Sequence, residues 1–253
     1  MPRSPNRVKE KIRRFLPRQV RPHRIVGGTL KGLKIVTSWH DYPGAILGTT
    51  ETPLLRWFEG QVGPGETWID VGAHYGYTAM ALSRLVGNEG RVFAFEPILA
   101  TAGCVVRTRE INGLHNLVVL PFALNSCANI SIHSLPVVRG MADSTHPDGC
   151  TQQIFGMALD SLWPSLCAGR PNIDGVKIDV QGMELSVIHG MKSLLRRWNP
   201  RLVVELHRGV DRAEFLQLLR ECGYSEKSSA IDEASCGDEL KDDTSYSFQP
   251  MRP

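Results

Sequence analysis

Two short apolar runs end in an acid, and a turn follows each. Trp68-Ile69-Asp70-Val71 leads into Gly72-Ala73-His74-Tyr75-Gly76, and Val92-Phe93-Ala94-Phe95 leads into Glu96-Pro97. A buried strand, a tight glycine turn and a helix start leave open backbone and unpaired N–H groups beside a nucleotide-like ligand. The dinucleotide fingerprint GxGxxG, laid on Gly72, needs glycines at 74 and 77, where His74 and Tyr77 stand. A pyrophosphate is poorly served there, which disfavours NAD. The spacing Asp70-x-Gly72-x-x-x-Gly76 suits a cofactor with no phosphate, its acid facing an ammonium. Glu96, one βα step later, can accept both hydroxyls of a ribose. Together these features point to S-adenosylmethionine. The expected contacts are Asp70, Gly72, Ala73, His74, Gly76, Glu96 and Pro97, with His74 and Tyr75 shaping the pocket through their backbone.

A second group of polar residues closes later apolar runs: Asp179 after 175–178, and Glu205 and His207 around the end of 201–206. In an open α/β sheet this edge gathers the ligands. Methyl transfer from a sulfonium is an in-line displacement, so the protein has to align the acceptor oxygen and take its proton. Asp179, His207 and Glu205 are the candidate catalytic residues, with Asp179 or His207 as the base. Histidine titrates near neutrality, which suits that role; its alternative is a strand-end histidine paired with Glu205. Lys177, in an otherwise apolar run, is expected as an internal ion-pair partner. Asp179, Glu205 and His207 are oxygen and nitrogen donors, but no spacing demands a metal and none is expected.

The elements that must position these residues follow from the hydrophobic pattern. Short apolar runs at 68–71, 91–95, 117–120, 175–180 and 201–206 alternate with helical stretches at 78–86, 99–111, 183–197 and 212–222. Continuous apolar runs separated by helices indicate a parallel sheet covered on both faces. The expected fold is α/β, a doubly wound, mostly parallel Rossmann-like sheet. Ahead of it lie short strands at 24–26, 33–37 and 45–47 and a helix at 52–62. Two further strands, 130–135 and 152–159, flank a Gly- and Asp-containing loop at 139–149 that is a candidate lid.

The runs DVGAHYGYTA (70–79), FAFEP (93–97), GVKIDVQGMELSVIHGM (175–191) and VVELH (203–207) resemble the FkbM-like methyltransferases, as does the Leu159-Asp160 pair. The resemblance covers about residues 66–224. It implies a class I methyltransferase fold and S-adenosylmethionine-dependent O-methylation of a hydroxyl on a small molecule or glycan. Where that family usually reads KIDVEG, this chain has Gln181 in place of the glutamate, and it keeps the later acid as Glu184.

The chain has 253 residues, 42% of them hydrophobic, enough for one large domain with extensions. Its net charge of +3 is uneven: residues 1–24 hold nine basic residues against one acid. Val8, Ile12, Phe15 and Leu16 recur there at helical spacing, so a basic amphipathic arm able to contact an anionic surface is expected. The methyltransferase domain is expected at 25–224 and an acidic, partly disordered tail at 225–253; the family resemblance implies a closing antiparallel strand pair, of which only 245–249 looks able to supply a part. Six scattered cysteines without a CxxC pair, no membrane-length apolar run and no signal peptide imply a cytoplasmic protein. Two rival readings are a nucleic-acid methyltransferase recruited by the basic arm, and a non-catalytic S-adenosylmethionine-binding protein, the latter motivated by Gln181.

Overall fold

Five fully buried residues, Thr67–Val71, form strand β3, and side chains alternate across it as the two-residue period of a strand requires. Ile69 and Val71 enter one apolar core, Trp68 the other. Each face of a central sheet is therefore covered. Counting from the N-terminus of the computed structural model, which describes residues 13–142, 150–231 and 240–251, β1 (Arg21–Arg24) and β2 (Lys34–Thr37) precede it as an antiparallel hairpin. Two helices, α1 (Pro43–Leu47) and α2 (Thr52–Gln61), come between that hairpin and β3.

From β3 the chain runs through α3 (Tyr77–Val86), β4 (Arg91–Phe95), α4 (Leu99–Ile111) and β5 (Leu117–Leu120). After an insertion it continues as α5 (Leu159–Leu166), β10 (Gly175–Ile178), α6 (Glu184–His189), α7 (Lys192–Trp198), β11 (Arg201–Leu206) and α8 (Arg212–Glu221). It closes with β12 (Tyr224–Ala230) and β13 (Thr244–Pro250). The seven-stranded sheet has the order β12-β13-β11-β10-β3-β4-β5. The β5-β4-β3-β10-β11 run is parallel, and β13 pairs antiparallel with both β11 and β12. The chain leaves β3 toward β4 on one side and returns to its other side as β10. This makes the β3/β10 boundary the topological switch point, where the C-terminal strand ends open a crevice.

Several expectations are corrected. Residues 45–47 are helical, not a strand: Pro43 starts the helix and Gly48 ends it in the left-handed conformation (φ 75°). The single helix expected over 183–197 is two, because Asp160 accepts hydrogen bonds from the Ser193 and Leu194 N–H groups and caps a second start. The strand expected to run to 159 stops at Met157, and α5 follows it. At the front, Arg21–Arg24 belong to the β1–β2 hairpin and not to a separate arm. At the back, residues 225–230, expected in the tail, belong to β12, which with β13 completes the central sheet; β13 contains the 245–249 stretch expected to supply part of a closing pair, with Tyr246 and Phe248 buried in the core. Val8 and Ile12 of the arm's amphipathic pattern and residues 143–149 of the candidate lid lie outside the described residues.

The insertion between β5 and α5 forms a second sheet from β6 (Ala123–Leu124), β7 (Ser131–Val138), β8 (Met141–Ala142) and β9 (Cys150–Met157), in the order β6-β9-β7-β8. Its β7–β8 turn reaches back over the crevice. The carbonyl of Arg139 lies 3.2 Å from His74 Nε2, and that of Gly140 accepts the Thr101 hydroxyl at 3.0 Å. Among the described residues no helix is long and apolar enough to cross a membrane.

Candidate active site

The C-terminal ends of β3, β4, β10 and β11 border a cleft of about 440 Å³. Its floor is the turn after β3. Gly72 has φ 77°, and a Cβ there would collide with the carbonyl oxygen of Asp179, so this turn admits only glycine. Gly76 (φ 83°) lets α3 begin, and a Cβ on it would press 2.8 Å from Val105 of α4. These glycines therefore serve the approach of one backbone segment to another. Of the seven expected cofactor contacts, Gly72, Ala73, His74, Glu96 and Pro97 line the cleft, and Asp70 and Gly76 do not.

Glu96 holds the turn in place. One of its oxygens accepts the His74 N–H at 2.8 Å and the other the Ile98 N–H at 2.9 Å. Burial pushes its pKa up to about 8, against the pull of those two N–H groups and of Lys177, with Asp70 adding to the rise. The His74 imidazole goes the other way: burial lowers its pKa, so the ring is neutral at pH 7. It packs at a tilt against Tyr42, with ring centroids 4.9 Å apart, and edge-on against Tyr75 at 4.5 Å, and His74 and Tyr42 line the cleft.

Asp70 has no exposed surface. Thr78 donates its hydroxyl to one oxygen at 2.6 Å, and Lys177 Nζ lies 3.2 Å from the other. Register explains the pairing: Lys177 stands opposite Asp70 across the β3/β10 boundary, on the same face. Lys177 also reaches the Gly72 carbonyl at 3.2 Å and Asp179 at 3.5 Å. Burial opposes its charge, but Asp70 and Asp179 outweigh that and raise its pKa. Lys177 is thus the internal ion-pair partner that its apolar surroundings predicted. Asp70, expected to touch the cofactor, lies beneath the floor beside the lysine, with no exposed surface.

Asp179, Glu205 and His207 do converge. His207 Nε2 is 3.6 Å from a carboxylate oxygen of each, and the three donor atoms lie within 4.8 Å of one another. Asp179 and Glu205 are on the cleft wall, whereas His207 sits behind it. Its other ring nitrogen, Nδ1, is 2.7 Å from the fully buried Glu184, and the Gln181 amide nitrogen is 2.9 Å from Nε2. Burial works against an imidazolium here, but the Glu184 hydrogen bond and the charges of Asp179, Glu184 and Glu205 prevail and raise the His207 pKa. Burial also raises the Glu205 pKa, and Asp179 and Glu51 raise it further. A carboxylate–imidazole set of this size is within reach of a divalent cation, with the Gln181 amide nitrogen 2.9 Å from the imidazole nitrogen and Lys177, shared with Asp70, 3.5 Å from Asp179.

Sequence reasoning missed Glu51, Tyr42 and Asp41, which come from the lead-in helices and line the cleft opposite the sheet edge. Also missed were Phe122, Asn125, His133 and Leu135, which the second sheet contributes. None lies in a recognisable motif.

A family model described as the methyltransferase FkbM domain matches residues 70–226, more than half of the sequence. The chain belongs to the FkbM methyltransferase domain family. The chain is 31% identical over 157 residues to hexuronic acid methyltransferase AglP of Haloferax volcanii, a match covering 62% of each chain. The protein thus spans less than two thirds of that relative's length. Among solved structures, methyltransferase FkbM of Methylobacillus flagellatus KT overlays with a TM-score of 0.49 at 16% identity, covering 81% of this chain and 52% of the other. Fibrillarin of Aeropyrum pernix overlays with a TM-score of 0.47 at 14% identity, covering 91% and 82%.

Proposed function

We propose that the protein is an S-adenosylmethionine-dependent O-methyltransferase acting on a hydroxyl of a glycan or other small polar molecule. The observation that carries this reading is the cleft at the switch point, which has a ribose-type carboxylate, Glu96, on one side of the glycine turn and a cluster of wall carboxylates on the other. Glu96 spends one lone pair per oxygen on backbone N–H groups, so acceptor capacity is left for a sugar diol. The aromatic wall of Tyr42 and His74 suits a nucleoside, and the neutral His74 ring offers a pyrophosphate no charge. When bound, S-adenosylmethionine supplies the electrophilic methyl group.

Asp179 and Glu205, on the wall, face the acceptor. Asp179 accepts its proton, and Lys177 holds that carboxylate in place. His207, backed by Glu184, sits behind Asp179 and Glu205 as a positioning residue. The choice of a sugar hydroxyl as acceptor draws on the hexuronic acid named for the Haloferax relative. The free thiols of Cys104, Cys127, Cys167 and Cys222 support a reducing, cytoplasmic setting.

Calorimetric titration with S-adenosylmethionine, S-adenosylhomocysteine and NAD tests the cofactor, and methyl transfer to a panel of uronic acids and neutral sugars tests the acceptor. Micromolar binding of the first two ligands without NAD is expected; a folded protein that binds none of them would sink the proposal. At pH 9, where Glu96 is the carboxylate, Glu96→Ala should weaken cofactor binding by about 10- to 100-fold, the loss of two hydrogen bonds to a charged group.

The pH dependence follows from the same residue. With a pKa of about 8 in the free protein, Glu96 is mostly protonated at pH 7 and becomes the carboxylate that a diol needs as pH rises. The groups around it are Lys177, Asp70 and the His74 and Ile98 N–H groups. Affinity for 5′-methylthioadenosine, which has the ribose but no titrating amine, should tighten by about tenfold between pH 7 and pH 9. In Glu96→Gln the slope should vanish; a slope that survives this substitution would assign the titration elsewhere.

A further inference from the structure

We infer that Glu51, at the start of α2, holds the ammonium of the cofactor's methionine moiety, the role that the strand-end position suggests for Asp70. The inference rests on the S-adenosylmethionine reading above.

Asp70 is ruled out by its surroundings. It has no surface in the cleft, and Thr78 and Lys177 occupy its two oxygens. An ammonium needs a carboxylate on the wall, and five are there: Asp41, Glu51, Glu96, Asp179 and Glu205. Asp41 is engaged by Ser38, His40 and Tyr75. Glu96 belongs to the turn and the ribose. Asp179 and Glu205 face His207, and Asp179 also faces Lys177. Glu51 has a hydrogen bond with the Thr50 side chain but makes no ion pair among the described residues.

Its backbone supports a functional role. Glu51 has φ 54°, the left-handed region that non-glycine residues seldom adopt. It is held there because its carbonyl accepts the Leu55 N–H at 2.9 Å, the first turn of α2, with Pro53 just inside the helix. That conformation places an acid on the cleft wall where α2 begins.

The location also suits the length of the ligand. The turn after β3 is tied at Gly72 to Lys177 and at His74 to Glu96. Glu51 lines the same cleft as Lys177 and Asp179 and acts on both electrostatically, while Glu96 holds the His74 end of the turn. A nucleoside on the Glu96 side and an amino acid on the Glu51 side span the turn between them. Among the described residues Lys177 is the one lysine that lines the cleft, and Asp70 and Asp179 lie 3.2 and 3.5 Å from its Nζ. Burial, opposed by Lys177 and reinforced by Asp179 and Asp70, raises the Glu51 pKa.

The test is calorimetric titration of the full chain and its Glu51→Gln variant with S-adenosylhomocysteine and with 5′-methylthioadenosine, which lacks the amino-acid moiety. Glu51→Gln should weaken S-adenosylhomocysteine by about 10- to 100-fold and leave methylthioadenosine within about twofold. Equal affinity of the variant and the parent for S-adenosylhomocysteine would overturn the assignment to Glu51 while leaving the cofactor reading intact. Equal weakening of both ligands would overturn it as well, since it would mean general damage to the cleft. A parent chain that binds neither ligand would remove the cofactor reading and this inference with it. An unfolding curve of the variant matching that of the parent secures the comparison.

Discussion

Lys177→Met lowers the free energy of unfolding by about 3–5 kcal/mol, the cost of leaving a fully buried carboxylate without its cation. Lys177 is 4% exposed and Asp70 not at all. Water cannot take over the solvation of Asp70, and its remaining hydrogen bond, from Thr78, carries no charge. The lysine also bonds the Gly72 carbonyl, so its loss frees the turn that closes the cleft floor. Urea unfolding measures the effect. The double variant Asp70→Asn/Lys177→Met removes both charges and should recover a large part of the loss, because the stranded charge dominates the cost and not the absent contact. A single variant as stable as the parent would mean that Asp70 is neutral or solvated in the native state, and the buried pair could not be the floor of the site.

The same pair shows which features were legible in the sequence. The parallel strands β3, β4, β10 and β11 are almost wholly buried and apolar, so they stand out from the helices between them, and with them stands out the crevice their ends define. Lys177 was legible as a buried cation because apolar residues flank it. Its partner was not, since only the strand register places it opposite Asp70. An acid at a strand end reads identically whether it faces a ligand or a neighbouring strand. Glu51 escaped notice for a related reason: it lies outside the glycine-turn motif, and its value depends on how the lead-in folds over the sheet. The closing strands were partly obscured by composition. In Tyr224–Ala230 the side chains are mostly polar because β12 is an edge strand. In Thr244–Pro250 the alternation of Tyr246 and Phe248 with serines is the ordinary pattern of a strand with one face in the core, which made 245–249 legible as part of a closing pair, while the acidic stretch ahead of it hid its partner β12. The two-helix break after β10 depends on Asp160, distant in sequence, reaching the start of α7.

Asp179→Asn should reduce the rate of methyl transfer at saturating substrate by about 10²–10⁴-fold, the usual contribution of a positioned general base. Asparagine keeps the shape and can still accept a hydrogen bond, but it cannot take the proton that a weakly acidic hydroxyl must lose as the new bond forms. Lys177 retains Asp70 as a partner in this variant, so the floor stays in place and the affinity for S-adenosylhomocysteine should change by less than about threefold. That split separates chemistry from binding. His207→Phe offers the contrast, because the imidazole lies behind the wall, 3.6 Å from both Asp179 and Glu205. A smaller loss, about tenfold, is expected if it only positions those carboxylates, whereas a loss as large as that of Asp179→Asn would make the imidazole the proton acceptor. An Asp179→Asn enzyme with unchanged turnover would transfer the role to Glu205, the other wall carboxylate, whose raised pKa suits a base working near neutrality.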